Sequence, residues 1–203
     1  MDYTSKLAIG TAQWGLDYGA TNTSGRLGDS VVSTLMDSMR ANTIAHLDTA
    51  ASYGDAESRI GSLDTTGIHI QTKLSAKGRT CKQLRAQLRE SLTRLNAESV
   101  NSLLIHDWYV LDQKEIESVS QFFELSVNEG LTHHVGVSAY DLSDLDRAKR
   151  HLAIWDTAQI PMNALDQRFL SASELFPAIA FQARSIFLQG LLLASNPDHV
   201  DVI

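Results

Sequence analysis

Ile44-Ala45-His46-Leu47-Asp48-Thr49-Ala50-Ala51-Ser52-Tyr53-Gly54 is the stretch whose reading decides the fold. A short apolar run delivers a carboxylate, Asp48, and five positions later a phenol, Tyr53, beside a glycine. A buried strand gains nothing from an acid at its last position, since an unpaired buried charge is costly. The pattern makes chemical sense if a cation sits between the two. The next apolar run ends in one, Lys73 in Ile68-His69-Ile70-Gln71-Thr72-Lys73, and the run after that ends in His106, in Leu103-Leu104-Ile105-His106. Asp48, Tyr53, Lys73 and His106 therefore read as one candidate site at the carboxyl ends of successive buried strands.

The same rhythm extends along the chain. The predicted strands are Leu7-Ala8-Ile9-Gly10, Ala45-His46-Leu47, Ile68-His69-Ile70-Gln71, Ser102-Leu103-Leu104-Ile105, His134-Val135-Gly136-Val137, Thr157-Ala158-Gln159-Ile160 and Ser185-Ile186-Phe187-Leu188. Each is short and mostly apolar, as parallel strands covered on both faces are. Helical segments lie between them. Leu84, Leu88, Leu92 and Leu95 recur at spacings of three and four and mark one buried helix face, in a segment that Cys81 opens. Asp112 with Glu115, and Ser143 with Asp146, have N-cap spacing. Strand followed by helix, repeated seven times, predicts a parallel sheet with right-handed crossovers.

An open doubly wound sheet and a (β/α)8 TIM barrel both have this rhythm. Gly10-Thr11-Ala12-Gln13-Trp14-Gly15 lacks the G-x-G-x-x-G spacing of a dinucleotide fingerprint. Polar residues also fall at the ends of many different strands, which a barrel gathers around one mouth and an open sheet spreads in a row. The expectation is thus an α/β chain forming one barrel domain over residues 1–203, with about seven strand–helix units. After Gly190 only thirteen residues remain, and a further unit takes roughly 30. Barrels usually run to ~250 residues, so this one is expected to be incomplete at its C-terminus.

Composition narrows the partners. With 43% hydrophobic residues, a 203-residue chain can bury one sizeable core. Its 24 acids against 17 bases argue against nucleic acid or an anionic membrane. One cysteine excludes an internal disulfide and fits a reducing cytosol. Met1–Lys6 lacks the features of a signal peptide, and no apolar run nears the roughly 18 residues of a membrane span. A cytoplasmic protein is expected. His133 and His134 are neighbours on a strand, so they point to opposite faces and cannot chelate together; no metal site is expected. Arg85, Arg89 and Arg94 read as a solvated helix face, and residues 15–28 as a covering loop.

The four-residue set suits carbonyl chemistry. A free tyrosine is a poor acid, with a pKa near ~10. An ammonium within ~4–6 Å draws that value down, and Lys73, kept charged and aimed by Asp48, is expected to do so. Tyr53 then gives a proton to a carbonyl oxygen as that oxygen gains charge, while His106 orients the oxygen. Hydride must come from a cofactor.

These residues resemble the aldo-keto reductase family, whose fold is a (β/α)8 barrel and whose members use NADPH or NADH. The resemblance rests on six collinear motifs: Gly10-Thr11-Ala12-Gln13-Trp14-Gly15, Asp48-Thr49-Ala50-Ala51-Ser52-Tyr53-Gly54, Thr72-Lys73, Ile105-His106-Asp107, Gly136-Val137-Ser138-Ala139 and Phe187-Leu188-Gln189-Gly190-Leu191-Leu192. It implies an NAD(P)H-dependent oxidoreductase reducing an aldehyde or ketone to an alcohol, with NADPH as cofactor and NADH as the alternative. By the same resemblance Tyr53 is the general acid, tuned by Lys73 and Asp48, and His106 places the carbonyl. Ser138 and Gln159 hold the nicotinamide carboxamide, and Phe187 stacks on its ring. Gln189 and Gly190 belong to the cofactor-binding segment. Trp14 and Trp108, with Tyr109, line the substrate pocket. Ala139 departs from the Asn the family commonly has there, and the family's adenosine-binding loop after an eighth strand has no counterpart here.

Two competing expectations stand beside this one. An incomplete barrel exposes two sheet edges, which suits a non-enzymatic or catalytically impaired subunit that self-associates through them. A lysine at a barrel strand end also suits Schiff-base chemistry, although Asp48 and Tyr53 would keep Lys73 protonated.

Overall fold

The computed structural model describes residues 6–193. Seven parallel strands lie in sequence order in one sheet: β1 (Ala8–Gly10), β2 (His46–Asp48), β3 (His69–Leu74), β4 (Val100–Ile105), β5 (Thr132–Ser138), β6 (Thr157–Pro161) and β7 (Ala180–Arg184). The helices between them are α1 (Ala12–Gly15), α2 (Asp29–Ala41), α3 (Ala56–Gly61), α4 (Cys81–Leu95), α5 (Gln113–Asn128), α6 (Leu142–His151) and α7 (Ala172–Leu175). Among the described residues β1 pairs only with β2, and β7 only with β6. The sheet is therefore an incomplete barrel.

One hydrogen bond measures its curl. Gln159 of β6 donates through Nε2 to Oδ1 of Asp48 on β2, at 3.1 Å. In a flat sheet, strands four steps apart would be separated by about 19 Å, at ~4.8 Å per step. The sheet must bend toward its own interior for these side chains to meet.

Strand register sorts every side chain to one of two faces, because neighbours in register share a face and the period is two. Asp48 aligns with Gln71, Gln71 with Ser102, Lys73 with Leu104, Leu104 with Gly136, Ser138 with Gln159, and Gln159 with Gln182. That set is the concave interior, and it is largely polar. Leu47, Ile70, Leu74, Leu103, Ile105, Val135 and Val137 occupy the other face and pack against Leu84, Leu88, Ile116, Val119, Phe122 and Phe123 of the helices. Burying one such side chain contributes roughly 1.5–3 kcal/mol, so this outer layer carries most of the fold's stability. The interior must also stay narrow. A Cβ added at Gly136 would lie 1.8 Å from the Thr157 carbonyl oxygen, a backbone atom that cannot step aside.

Polar contacts lock the layers. Buried Glu57 of α3 accepts from Thr72 of β3 at 2.6 Å and from Arg94 of α4 at 2.7 and 2.8 Å. Arg94 thus belongs to a partly buried ion pair with buried Glu57, not to the solvated face expected of it; Arg85 and Arg89 both reach Glu129. Asp112 and Glu115 form the expected capping box on α5, and Glu115 also accepts from the Gly78 backbone. The box on α6 uses Asp141 and Asp144 instead of Ser143 and Asp146, since Asp144 reaches back to the amides of Tyr140 and Asp141.

The seventh strand is displaced from its predicted place. Ser185–Leu188 is not a strand: Ser185 has φ of 57°, Phe187 is 53% exposed, and Leu188–Leu193 forms two 3₁₀ turns broken by a kink at Gln189 and Gly190. The true strand, Ala180–Arg184, carries polar Gln182 and Arg184 on its interior side and stands at the edge, so no apolar run announces it. The loop after α1 crosses to this 3₁₀ segment. Thr21–Ser24 and Tyr18 line a cleft of about 350 Å³ together with Gln13, Gln189 and Gly190. Expectations for residues 1–5 and 194–203 lie outside the described residues. No described helix is long and apolar enough to cross a membrane.

Candidate active site

The carboxyl ends of β2, β3 and β4 bring Asp48, Lys73, Tyr53 and His106 together. Lys73 is 1% exposed, and its Nζ donates to Asp48 Oδ1 at 2.6 Å and to the Thr49 carbonyl at 2.9 Å. Oδ1 of Asp48 also accepts from Gln71 at 2.7 Å and Gln159 at 3.1 Å. A buried ammonium is tolerated only when so compensated. Burial still drives the Lys73 pKa below its ordinary value, Asp48 opposing that shift and Arg184 adding to it.

Tyr53 lies under this pair. The Lys73 amine sits over its ring, 5.2 Å from the centroid, and the His106 ring meets it edge-on at 5.9 Å. The expected depression of the phenol pKa is not what the geometry produces. Burial raises it above the usual tyrosine value, and Asp48, Tyr18 and Tyr140 raise it further; Arg184 alone among the named influences lowers it. The ammonium faces the ring and makes no hydrogen bond with the hydroxyl, so burial prevails. His106 is held neutral by burial first, then by Lys73 and Arg184. Its Nδ1 lies 3.3 Å from Ser52 Oγ. Asp107 anchors the same loop by accepting from the Ser75 hydroxyl and from the amides of Ala76 and Lys77, the amides at 2.7 and 3.1 Å.

The remaining sequence-derived residues divide. Ser138 and Gln159 are buried neighbours in register on β5 and β6, facing the interior. Ser138 Oγ and Gln159 Oε1 have no hydrogen-bond partner in the protein. Buried polar atoms are rarely left so, and this pair offers a hydroxyl donor and an amide acceptor side by side. Trp14 and Trp108 go elsewhere. Trp14 is 1% exposed within the outer apolar layer, and Trp108 is fully buried with its Nε1 donating to the Asp144 carbonyl at 3.0 Å. Neither presents a face to a substrate, which corrects the expectation for both. Phe187 is exposed on the turn after β7, whereas Gln189 and Gly190 line the cleft beside Thr21.

Three residues at the mouth escaped sequence reasoning. Arg184 ends β7, and its guanidinium stacks 4.2 Å from the Tyr140 ring centroid, which in turn meets Tyr109 at 4.8 Å. Ser52 was visible only as part of a loop. A cation two residues beyond an interior-facing Gln on an edge strand is a usable signal, but only once the strand is correctly placed. Among the described residues no group of three or more His, Cys, Asp or Glu is arranged to hold a metal ion.

A curled parallel sheet with its polar side chains gathered at the carboxyl mouth defines an α/β-barrel enzyme architecture. The chain belongs to the aldo/keto reductase family, a family of oxidoreductases whose sequence profile matches residues 6–199. Solved structures share the fold. A Pseudomonas aeruginosa protein described as an aldo-keto reductase superposes with a TM-score of 0.76 at 24% identity, over 96% of this chain and 76% of that one. The holo form of an aldo-keto reductase from Bacillus halodurans gives 0.75 at 18% identity, over 95% and 65%. An aldo-keto reductase of Bombyx mori in complex with NADP gives 0.70 at 22% identity, over 89% and 62%. Among curated proteins, none matches this sequence significantly.

Proposed function

We propose that the chain is an NAD(P)H-dependent carbonyl reductase in which Tyr53 is the general acid. The observation that carries this is the Lys73–Asp48 pair buried against the Tyr53 ring, with His106 at its edge. A phenol of raised pKa stays protonated at neutral pH and has a proton to give when a carbonyl oxygen becomes an alkoxide. Positive charge from Arg184, the one named influence that lowers the phenol pKa, favours the phenolate left behind, while the Lys73 amine sits over the ring. His106, whose Nδ1 lies 3.3 Å from the Ser52 hydroxyl, in the tautomer protonated at Nε2 donates that proton to the same oxygen. Asp48 holds Lys73 in place and favours its charged form against the effect of burial, which disfavours a Schiff-base role for the amine.

The unpartnered Ser138 hydroxyl and Gln159 amide oxygen fit a nicotinamide carboxamide, whose oxygen accepts and whose nitrogen donates. When bound, the reduced nicotinamide supplies hydride to the carbonyl carbon. Gln189 and Gly190, in the cleft with Thr21–Ser24, are the residues proposed to hold the more distant part of that cofactor. Exposed Tyr18 and Tyr140, in place of Trp14 and Trp108, form the walls available to a small-molecule substrate. NADPH binding followed by fluorescence, and its oxidation in the presence of an aldehyde panel, tests this reading; absence of binding at millimolar cofactor contradicts it.

A second reading rests on the outer edges of β1 and β7, which have no strand partner among the described residues. Such edges suit pairing with another copy of the chain. Sedimentation that shows only monomers at high protein concentration rejects it.

A further inference from the structure

We propose that Arg184 selects carbonyl substrates that carry an oxyanion, a carboxylate or a phosphate, within a few bonds of the reacting carbon. The proposal rests on the carbonyl-reductase reading above and adds a substrate class to it. Three observations carry it. Arg184 is in register with Pro161, two residues beyond the pairing of Gln182 with Gln159. Gln159 faces the interior, since it reaches Asp48, so Arg184 faces the interior as well, at the mouth. Secondly, no carboxylate neutralises it among the described residues. Its polar contact is one long hydrogen bond from the guanidinium to the Ala139 carbonyl at 3.4 Å, and Nε is buried without a partner. Asp166, which feels its charge, is instead held by Arg168 at 2.8 Å.

Thirdly, the cation is stacked on an aromatic ring. The Tyr140 ring lies 4.2 Å from Cζ and restrains the guanidinium plane, leaving its fork free to meet a planar anion. Arg184 shares the interior-facing side of the sheet with Gln159, which reaches Asp48, and its charge is felt at Tyr53, Lys73 and His106, so an anion bound there lies on the same mouth as those groups. Lys73 cannot serve the same purpose, because Asp48 and the Thr49 carbonyl already occupy its amine. A guanidinium–carboxylate fork is the stronger and more directional choice for such a site.

Equilibrium titration of the full chain with 4-hydroxybutyrate and with 1,4-butanediol, followed by NMR, tests this without requiring turnover. The expected result is at least roughly tenfold tighter binding of the anion, as a charge-assisted contact provides. In Arg184→Gln the two ligands become equivalent, and in Arg184→Lys part of the preference returns, with circular dichroism confirming that both variants fold. Equal affinity of the two ligands for the native chain, or a preference that survives in Arg184→Gln, overturns the proposal. So does weakened NADPH binding in Arg184→Gln with anion binding intact, which would assign the residue to cofactor phosphates. Failure of the underlying reading has a separate signature: selective anion binding that depends on Arg184, in a protein that fails to oxidise NADPH in the presence of any aldehyde tested.

Discussion

Lys73 and Tyr53 meet through a ring face: the amine stands 5.2 Å from the phenol centroid, and no hydrogen bond joins it to the hydroxyl. Its electrostatic effect on the hydroxyl is therefore indirect, and burial decides the acidity. Tyr53 should remain protonated well past pH 10 in the free protein, the shift being upward from burial first and Asp48 second. With the folded pKa above the unfolded one, stability is present below the unfolded value and is lost as pH rises through the folded value. Ultraviolet difference titration of the native chain against Tyr53→Phe should show the missing tyrosinate at the alkaline end of the curve. A Tyr53 signal emerging near neutrality would show that the lysine governs the phenol after all.

Removing the acid that compensates a buried ammonium should be costly. Asp48→Ala leaves Lys73 with only the Thr49 carbonyl and frees two amide donors, from Gln71 and Gln159. Urea denaturation is expected to report a loss of about 3–5 kcal/mol, the usual cost of breaking a buried pair. The double variant Asp48→Asn with Lys73→Met should recover part of that loss, because no charge is then stranded.

Acid should act through histidines. His106 is shifted below its ordinary value by burial, then by Lys73 and Arg184, and His46 by burial, then by its stacked neighbour His69. For each, the unfolded chain takes up a proton near pH 6.5 while the folded chain resists until lower pH. More protons on the unfolded state mean that stability falls as pH drops below about 6.5. Denaturation midpoints between pH 7 and 5 should show this slope, and His106→Gln should flatten part of it. An unchanged slope would mean that His106 is not held neutral.

Gly136 sets the bore of the barrel. Gly136→Ala drives a Cβ to within 1.8 Å of the Thr157 carbonyl oxygen, so β5 and β6 must separate. Overpacking of this kind costs about 1–3 kcal/mol or more, and it should also break the Ser138–Gln159 alignment. Thermal unfolding and NADPH affinity should fall together; a stable variant with native affinity would show that the strands tolerate spreading.

Much of the architecture was legible because buried parallel strands are apolar runs and their carboxyl ends are not. Asp48, Lys73 and His106 each stood out as a polar residue terminating such a run, and the helix faces followed from leucine spacing. Edges were another matter. On β7 one side of the strand faces a polar interior and the other is half-covered, so Ala180–Arg184 shows no apolar pattern, while Ile186-Phe187-Leu188, its first two residues exposed, imitates one. Misplacing that strand hid Arg184. Tryptophans misled for a related reason: size marks a residue as important without saying whether it faces a pocket or the packing layer, and Trp14 and Trp108 do the latter. Pairings between distant residues, such as Arg94 with Glu57 or Gln159 with Asp48, depend on curvature that no local pattern encodes.

Single-turnover reduction of an aldehyde by NADPH, compared between the native chain and Tyr53→Phe, tests the proton-donor role of Tyr53 most directly. The prediction is measurable hydride transfer in the native chain and a loss of about 10²–10⁴-fold in the variant, the contribution expected of a positioned general acid, with NADPH binding retained. Equal rates in the two proteins, or no hydride transfer from bound NADPH in the native chain, would contradict it.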